Sequence, residues 1–186
     1  PNPAEGNPPV YVNVPADGGE ASDITALPDP GLHALAHVFK VEIDPYIGRL
    51  AVFRVHQGRI TPGTQLYIGE GRKPVRAGHL YVLKGKTQVE VAEAVPGDIC
   101  AIAKIDDIRF DHILHDSPGD AHIHAKALEL PVAVFGLAVQ PRKRGDEQKV
   151  SDVLHKLMAE DPCFRLEHNA QANETVMRGI GEMHLK

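Results

Sequence analysis

From Leu35 to Ile105 the chain is a succession of short alternating segments parted by Gly/Pro turns, and few folds accept that pattern. Leu35, His37, Phe39, Val41 and Ile43 fall on one side of an extended chain, and Ala36, Val38, Lys40 and Glu42 on the other. Asp44–Arg49 breaks the alternation, Leu50–His56 resumes it, and Gln57–Gly63 turns the chain again. Thr64–Ile68, Val75–Leu83, Val89–Ala94 and Ile99–Ile105 follow as further strands, separated by loops that include Gly69–Pro74 and Val95–Asp98. Strands this short, each with one apolar face, bury it in a closed β-barrel or a sandwich.

The flanks read differently. Residues 1–31 are rich in Pro, Gly, Asn and acidic residues and read as a linker or tail, with only Val10–Val14 suited to an extended piece. Phe110–Ala127 reads as irregular and His-rich. Pro131–Val139 is an apolar strand expected to be buried on both faces. Asp146 is placed to cap a helix through Glu160, with Val150, Val153, Leu154, Leu157 and Met158 as its apolar stripe and Pro162 beyond its end. Phe164–His168 and Thr175–Arg178 read as a hairpin, and Arg178–Lys186 as the opening of a second helix. A β-α-β-β-α-β unit needs that helix and a last strand. The chain also starts at Pro1 without an initiator Met, so the expectation is an excised middle of a larger protein. The expected domains are a β-barrel over 32–127 and a partial α+β ferredoxin-like domain over 128–186.

The net charge of −5 argues against a nucleic-acid binder that works by bulk charge, while leaving room for local basic loops. Two cysteines, Cys100 and Cys163, lie in core-like segments, and neither a signal peptide nor a membrane span is apparent; a reducing cytoplasm is expected. His112, His115, His122 and His124 are close enough in sequence to be weighed as metal ligands, but no Cys or carboxylate motif accompanies them, and surface or core histidines are expected. Gly85-Lys86-Thr87 has the tail of a phosphate-binding loop, yet Leu80 stands where its first Gly is required and the triplet lies between two strands. It reads as a hairpin turn. No acid/base pair or nucleophile–base set emerges, so the chain itself is not expected to be an enzyme.

Three basic or aromatic clusters are candidates for contact with a partner. In the Asp44–Arg49 turn, Pro45 and Gly48 can hold the backbone close to a neighbour with Tyr46 and Arg49 exposed, against an ordinary turn with Tyr46 folded onto the barrel. Arg72, Lys73 and Arg76 cluster beside a Gly-rich turn and can neutralise phosphates, with Lys84 and Lys86 as an extension if the strands bring them together, against a plain solvated loop. Arg142, Lys143 and Arg144 precede the helix, where positive charge opposes the helix dipole and an anionic partner would offset it. Gly179 and Gly181 can present N–H groups to an anion or simply allow a tight turn, with His184 in support.

The segments Phe39-Lys40, Asp44–Leu50, Phe53–Gly58 and Pro96–Ile99 resemble the second domain of translation elongation factor G, and Glu160-Asp161-Pro162 and Gly179–Leu185 are similar to its third. Pro1-Asn2-Pro3 is similar to the exit from the family's GTPase domain. Departures at Asp107–His112 and Arg142–Glu147 look like those of an elongation factor G-like paralogue. The resemblance implies a translation-factor barrel followed by a ferredoxin-like domain, in a protein acting in translocation or ribosome recycling. It implies that the Asp44–Arg49 loop faces ribosomal RNA or the tRNA end. It implies as partners the small-subunit ribosomal RNA and proteins and the protein's own GTPase domain, with neither membrane nor DNA. Arg142, Lys143, Arg144, Gly179, Gly181 and His184 would meet the ribosome or the GTPase switch segments. GTP and Mg2+ would belong to that N-terminal domain and no cofactor to this chain. A ribosome-protection factor, a release factor 3, a back-translocase and a stand-alone RNA-binding module remain as alternatives.

Overall fold

The alternating segments form antiparallel strands because each carries one apolar row to bury and a turn at its end. The computed structural model describes residues 3–6, 9–15, 19–44, 46–85, 87–105, 107–126, 128–171 and 174–186. The chain divides into two units, Pro1–Ala127 and Leu128–Lys186. The first holds a short helix α1 (Pro3–Gly6) and strands β1 (Val10–Asn13), β2 (Ser22–Thr25), β3 (Leu35–Asp44), β4 (Gly48–Gln57), β5 (Gln65–Ile68), β6 (Val75–Arg76), β7 (Leu80–Lys84), β8 (Thr87–Val91), β9 (Ile99–Ala103), β10 (Ile113–His115) and β11 (Ile123–Ala125). The second holds β12 (Phe135–Val139), α2 (Glu147–Glu160), β13 (Arg165–Asn169) and β14 (Glu174–Gly179). Among the described residues no helix is long and apolar enough to cross a membrane.

Eight strands form one sheet in the order β6-β5-β10-β3-β4-β9-β7-β8. All eight contribute to a single inner core: Leu66, Leu114, Val38, Phe53, Ile102 and Leu80 are fully buried there, and Val75 from one edge strand and Val91 from the other pack on it. A flat sheet cannot bring its two edges to one cluster, so the sheet is curled into the barrel. The corner that closes it lies inside Val75–Leu83, which the alternation predicts as one long strand. The structure breaks it at Ala77-Gly78-His79: β6 pairs with β5, whereas β7 pairs with β9. Ala77 N–H donates to the Thr64 carbonyl and its own carbonyl accepts from Gly63 N–H, which pins the corner.

The predicted strict alternation of β3 also fails inside the strand. Val38 pairs with Phe53 and Lys40 with Val52, so Phe39 is an extra residue in a β-bulge. The bulge changes the inward parity: Ala36 and Val38 enter the inner core before it and Val41 after it, while Leu35 faces an outer cluster.

Residues 1–31, predicted as a linker or tail, are in large part built into the barrel unit. β1 pairs with β2 and with β11 to make a three-stranded sheet. Tyr11, Ala26 and Ile123 from this region pack with Leu35 and Ile113 on the barrel's outside. The segment Phe110–Ala127, predicted as irregular, supplies β10 and β11. Both departures have a like cause: β11 pairs with β1 more than a hundred residues away, β10 pairs with the distant β3 and β5, and such pairing leaves no local periodicity. Pro1 and Asn2 lie outside the described residues.

In the second unit the order β12-β14-β13, antiparallel throughout, with α2 connecting the first two strands, is the β-α-β-β portion of a ferredoxin-like α+β fold. Asp146 occupies the helix N-cap position, but its carboxylate pairs with Lys149 and makes no capping bond; Glu147 instead accepts from Gly145 N–H at 2.7 Å. Of the predicted stripe, Leu154 is buried and Val150 half-buried, while Val153, Leu157 and Met158 are exposed. β12 alternates half-buried and exposed residues and is therefore not buried on both faces, and Val132 and Val134 before it are exposed. Arg178–Lys186, predicted to open a second helix, completes β14 and adds a single 3-10 turn, Glu182–His184.

Where the small sheet meets the barrel, the Tyr11 ring stands edge-on to His56 at 5.9 Å. Burial, with the charges of His37 and Arg54, lowers the His56 pKa from 6.5 to about 4. As the pH falls from 6.5 towards 4 the unfolded chain takes up a proton at His56 and the native one does not, so stability falls across that window. Urea midpoints of the wild type and His56→Gln, taken through this range, should show a shallower decline in the variant.

Candidate functional site

The β3–β4 hairpin ends in a tip whose geometry is set by Asp44. Its Oδ1 accepts from the backbone N–H of Tyr46 at 2.7 Å and of Ile47 at 2.9 Å. Gly48, with φ +86°, takes the left-handed conformation that returns the chain to β4, and a Cβ there would meet open space, so its role is the turn. The consequence is a Tyr46 side chain held 96% exposed, not folded onto the barrel. Pro45 lies outside the described residues. Arg49 departs from its expected role: it is half-buried and its guanidinium donates to the Ile108 carbonyl at 3.1 Å, so it buttresses the hairpin instead of projecting from it.

The second cluster sits on the loop between β5 and β6. Gly69 N–H donates to the Ile113 carbonyl at 2.8 Å and Gly71 N–H to the Ile68 carbonyl at 2.9 Å, which ties the loop's root to the barrel. Arg72, Lys73 and Arg76 are all exposed, and none forms an ion pair among the described residues. Arg76 lies over Gly63. Lys84 ends β7 in an exposed position, and Lys86 lies outside the described residues.

The histidines of 112–124 are bound up in the fold. His115 is fully buried, with Nε2 2.8 Å from the Gly69 carbonyl and Nδ1 2.7 Å from the Ser117 carbonyl. His124 lies 3.7 Å from Glu70, and His112 Nδ1 accepts from Arg109 N–H. Among the described residues no group of three or more His, Cys, Asp or Glu is placed to hold a metal ion. Sequence reasoning missed the loop-holding role of His115; the only local signal was its place in an apolar Ile113-Leu114-His115 triplet. Burial and the Asp98 charge push the Cys100 thiol up to about 11, which keeps it protonated and unreactive.

In the second unit Arg142, Lys143 and Arg144 are exposed and free of ion pairs among the described residues, just ahead of α2. Gly179, Gly181 and His184 separate into different roles. His184 Nδ1 accepts from Ile180 N–H at 3.1 Å, so Nε2 carries the proton and donates to Asp161 Oδ2 at 2.6 Å. This bond joins the final 3-10 turn to the residue that ends α2, an internal tie and not an outward contact. Burial raises the Asp161 pKa, but hydrogen bonds from His184 and the backbone outweigh it and hold the carboxyl below the usual range. Gly179 is buried against this tie: a Cβ there would stand 2.5 Å from His184 Nδ1 and 2.7 Å from Leu185 Cδ2. A Cβ on Gly181 would meet nothing within 4 Å. Gly179→Ala should therefore destabilise the α+β unit by roughly 1–3 kcal/mol, and Gly181→Ala should lie within about 0.5 kcal/mol of the wild type. Urea unfolding of the two variants checks the contrast.

Among the described residues the arrangement presents an aromatic tip and two unpaired basic clusters. Comparison with known proteins bears on its origin. A family model described as "Elongation factor G domain 2" matches residues 33–112, and one described as "Elongation Factor G, domain III" matches residues 130–186. Elongation factor G of Hyphomonas neptunium is 32% identical over 178 residues, which is 95% of this chain and 25% of that protein. Elongation factor G of Ruegeria pomeroyi is 32% identical over 171 residues, 92% of this chain and 24% of that protein. A crystal structure from Thermus thermophilus superposes with a TM-score of 0.71 at 34% identity, covering 83% of this chain and 23% of that one. The chain thus spans about a quarter of the length of the curated relatives it matches. Two family models in the right order, relatives that cover this chain over nearly its whole length and the barrel followed by an α+β unit agree: the chain belongs to the elongation factor G family, as its domains II and III.

Proposed function

We propose that this chain is the ribosome-docking middle part of a translational GTPase, and that it passes the nucleotide state of a GTPase domain to the ribosome. The observation that carries the reading is Tyr46, 96% exposed and held there by Asp44. An aromatic ring kept away from every core has no folding role and fits a partner with stackable faces, as an unpaired RNA base has. Arg72, Lys73 and Arg76 supply unpaired cations on the same unit, suited to phosphate. In an acidic chain these local charges, and not net charge, would steer it.

In this reading the second unit is the relay. Arg142, Lys143 and Arg144 meet ribosomal RNA or the GTPase domain, while the His184–Asp161 tie keeps the unit stiff enough to move as a body. GTP and Mg2+ are handled by the GTPase domain of the whole protein, whose task is translocation or ribosome recycling in the cytoplasm.

Cosedimentation of the chain with ribosomes tests the docking surface. Binding should fall steeply with salt, and Arg72, Lys73 and Arg76 changed together to Glu should weaken it about tenfold or more at low salt and flatten that dependence. Tyr46→Ala should weaken it on the order of tenfold with the salt dependence unchanged. Arg49 is left intact because it supports the hairpin. Ribosome binding indifferent to both sets of changes would remove these loops from the interface.

A further inference from the structure

We propose that the β1–β2 hairpin is a releasable strap, which swings off the barrel as a unit about a tethered end at Leu27–His33 while the barrel stays folded. Its apolar hold is small: Tyr11 of β1 and Ala26 after β2 are buried with Leu35, Ile113 and Ile123. Three buried side-chain atoms have no hydrogen-bond partner among the described residues, Tyr11 Oη, Arg54 Nε and His56 Nδ1, and all three fall at this joint. Phe53 and Val55 point into the barrel core, so Arg54 and His56 lie on the outward face of β4. There the Tyr11 ring stands against His56, with the His37 ring 6.5 Å from it. A buried polar atom left unpaired works against the closed form, because opening returns it to water. With the unpaired atoms gathered where one hairpin meets the barrel, that joint opens at a lower cost than the core does.

The far end of the hairpin is held differently. Gln57 Oε1 accepts from Leu27 N–H at 3.0 Å, and its Nε2 donates to the His33 carbonyl at 3.1 Å. Gly58 N–H donates to the Asp29 carbonyl at 3.0 Å, and a Cβ on Gly58 would stand 2.5 Å from the Ala34 backbone, so the chain passes there in direct contact with the end of β4. These polar ties are satisfied and make the tether. Between tether and seam, the strap's remaining bond to the rest of the unit is the β1–β11 ladder, which pairs only Tyr11, Val12 and Asn13 with Ala125, His124 and Ile123.

Acid biases the strap towards its open form. His56 faces Tyr11 from β1, His37 from β3 and Arg54 on its own strand. Asp111 is bonded to His37, and Asp98, at the turn before β9, spends its carboxylate on Val95 N–H. Closed, the His56 ring stays neutral down to a pKa of about 4; open to water, it returns to the ordinary 6.5. Between those values only the open form takes up the proton. The share of open strap therefore rises as the pH falls through the window, by on the order of a hundredfold in all.

Native-state hydrogen exchange of the 15N-labelled chain, followed at several urea concentrations and corrected for intrinsic rates, tests this. Val14 N–H donates to the His122 carbonyl at 2.9 Å, so the alternation of the ladder makes Val12 and His124 the next bonded pair, and Val12 is the reporter of the strap. Val38 and Val55, whose amides donate to the His112 and Asp98 carbonyls, report the barrel. At pH 7 Val12 should exchange through a more populated opening than Val38 and Val55, with a smaller urea dependence. From pH 6.5 to 4 that opening should grow about a hundredfold in the wild type and stay level in His56→Gln. Tyr11→Phe, which deletes one unpaired atom and keeps the ring, should raise the protection of Val12 roughly tenfold. Three results would overturn the proposal: a Val12 amide that shares the opening free energy and urea slope of Val38 and Val55, faster exchange at Val12 in Tyr11→Phe, or an acid response that survives in His56→Gln. None of these readouts involves the ribosome, so the docking reading stands or falls separately.

Discussion

One inner core shared by all eight strands of the larger sheet governs the first unit. Phe53, Ile102, Leu66, Leu80 and Leu114 come from strands spread across that sheet, and they touch only because the sheet is curled. Curling needs places where the chain can leave one sheet edge for the other. The Ala77 corner is one, locked by two backbone hydrogen bonds to the Gly63-Thr64 turn. The bulge at Phe39 helps in another way, since it shifts the inward parity of a ten-residue strand so that Ala36 and Val38 before it and Val41 after it reach the same core. The candidate docking loops are the connections this closure leaves outside: the β3–β4 tip and the β5–β6 loop.

Polar side chains set those loops more than apolar ones do. Asp44 spends one carboxylate oxygen on two backbone N–H groups and so decides that Tyr46 points away. Arg49, one residue after the turn glycine, braces the hairpin against Ile108. His115 bridges two carbonyls beneath the basic loop, and His184 bridges Ile180 and Asp161 in the second unit. Three of these four were noticed in the sequence for other reasons, as a phosphate ligand, a metal ligand and an interdomain contact. Residue type could suggest that they had work to do. Whether the partner is a neighbour in the fold or a molecule outside depends on where distant carbonyls and carboxylates come to rest.

The hairpin Leu35–Gln57, the strand segments from there to Ala103 and the α2 helix were legible because each is encoded by a local period and a local turn residue. The pairing of β1 with β11 was not, because a strand partner over a hundred positions away leaves no trace in either segment's pattern. The break in Val75–Leu83 was hidden for a related reason: a short apolar run reads alike whether it continues in one sheet edge or crosses to the other. At the site, the cationic types of Arg72, Lys73 and Arg76 and the turn at Gly48 could be read directly, whereas the diversion of Arg49 to Ile108 could not.

By itself the sequence determined the order of the two units, their all-β and α+β classes, and the family to which ordered motifs such as Asp44–Leu50 and Gly179–Leu185 point, since periodicity, turn chemistry and motif order are properties of the chain. Tertiary structure alone decided that β1 and β2 join the barrel unit, that Tyr46 is bare while Arg49 is occupied, and that His115 and His184 face partners inside the fold. Those outcomes depend on which groups meet across long stretches of chain, where hydrogen-bond partners must be found for buried donors and acceptors and where no local preference can supply them.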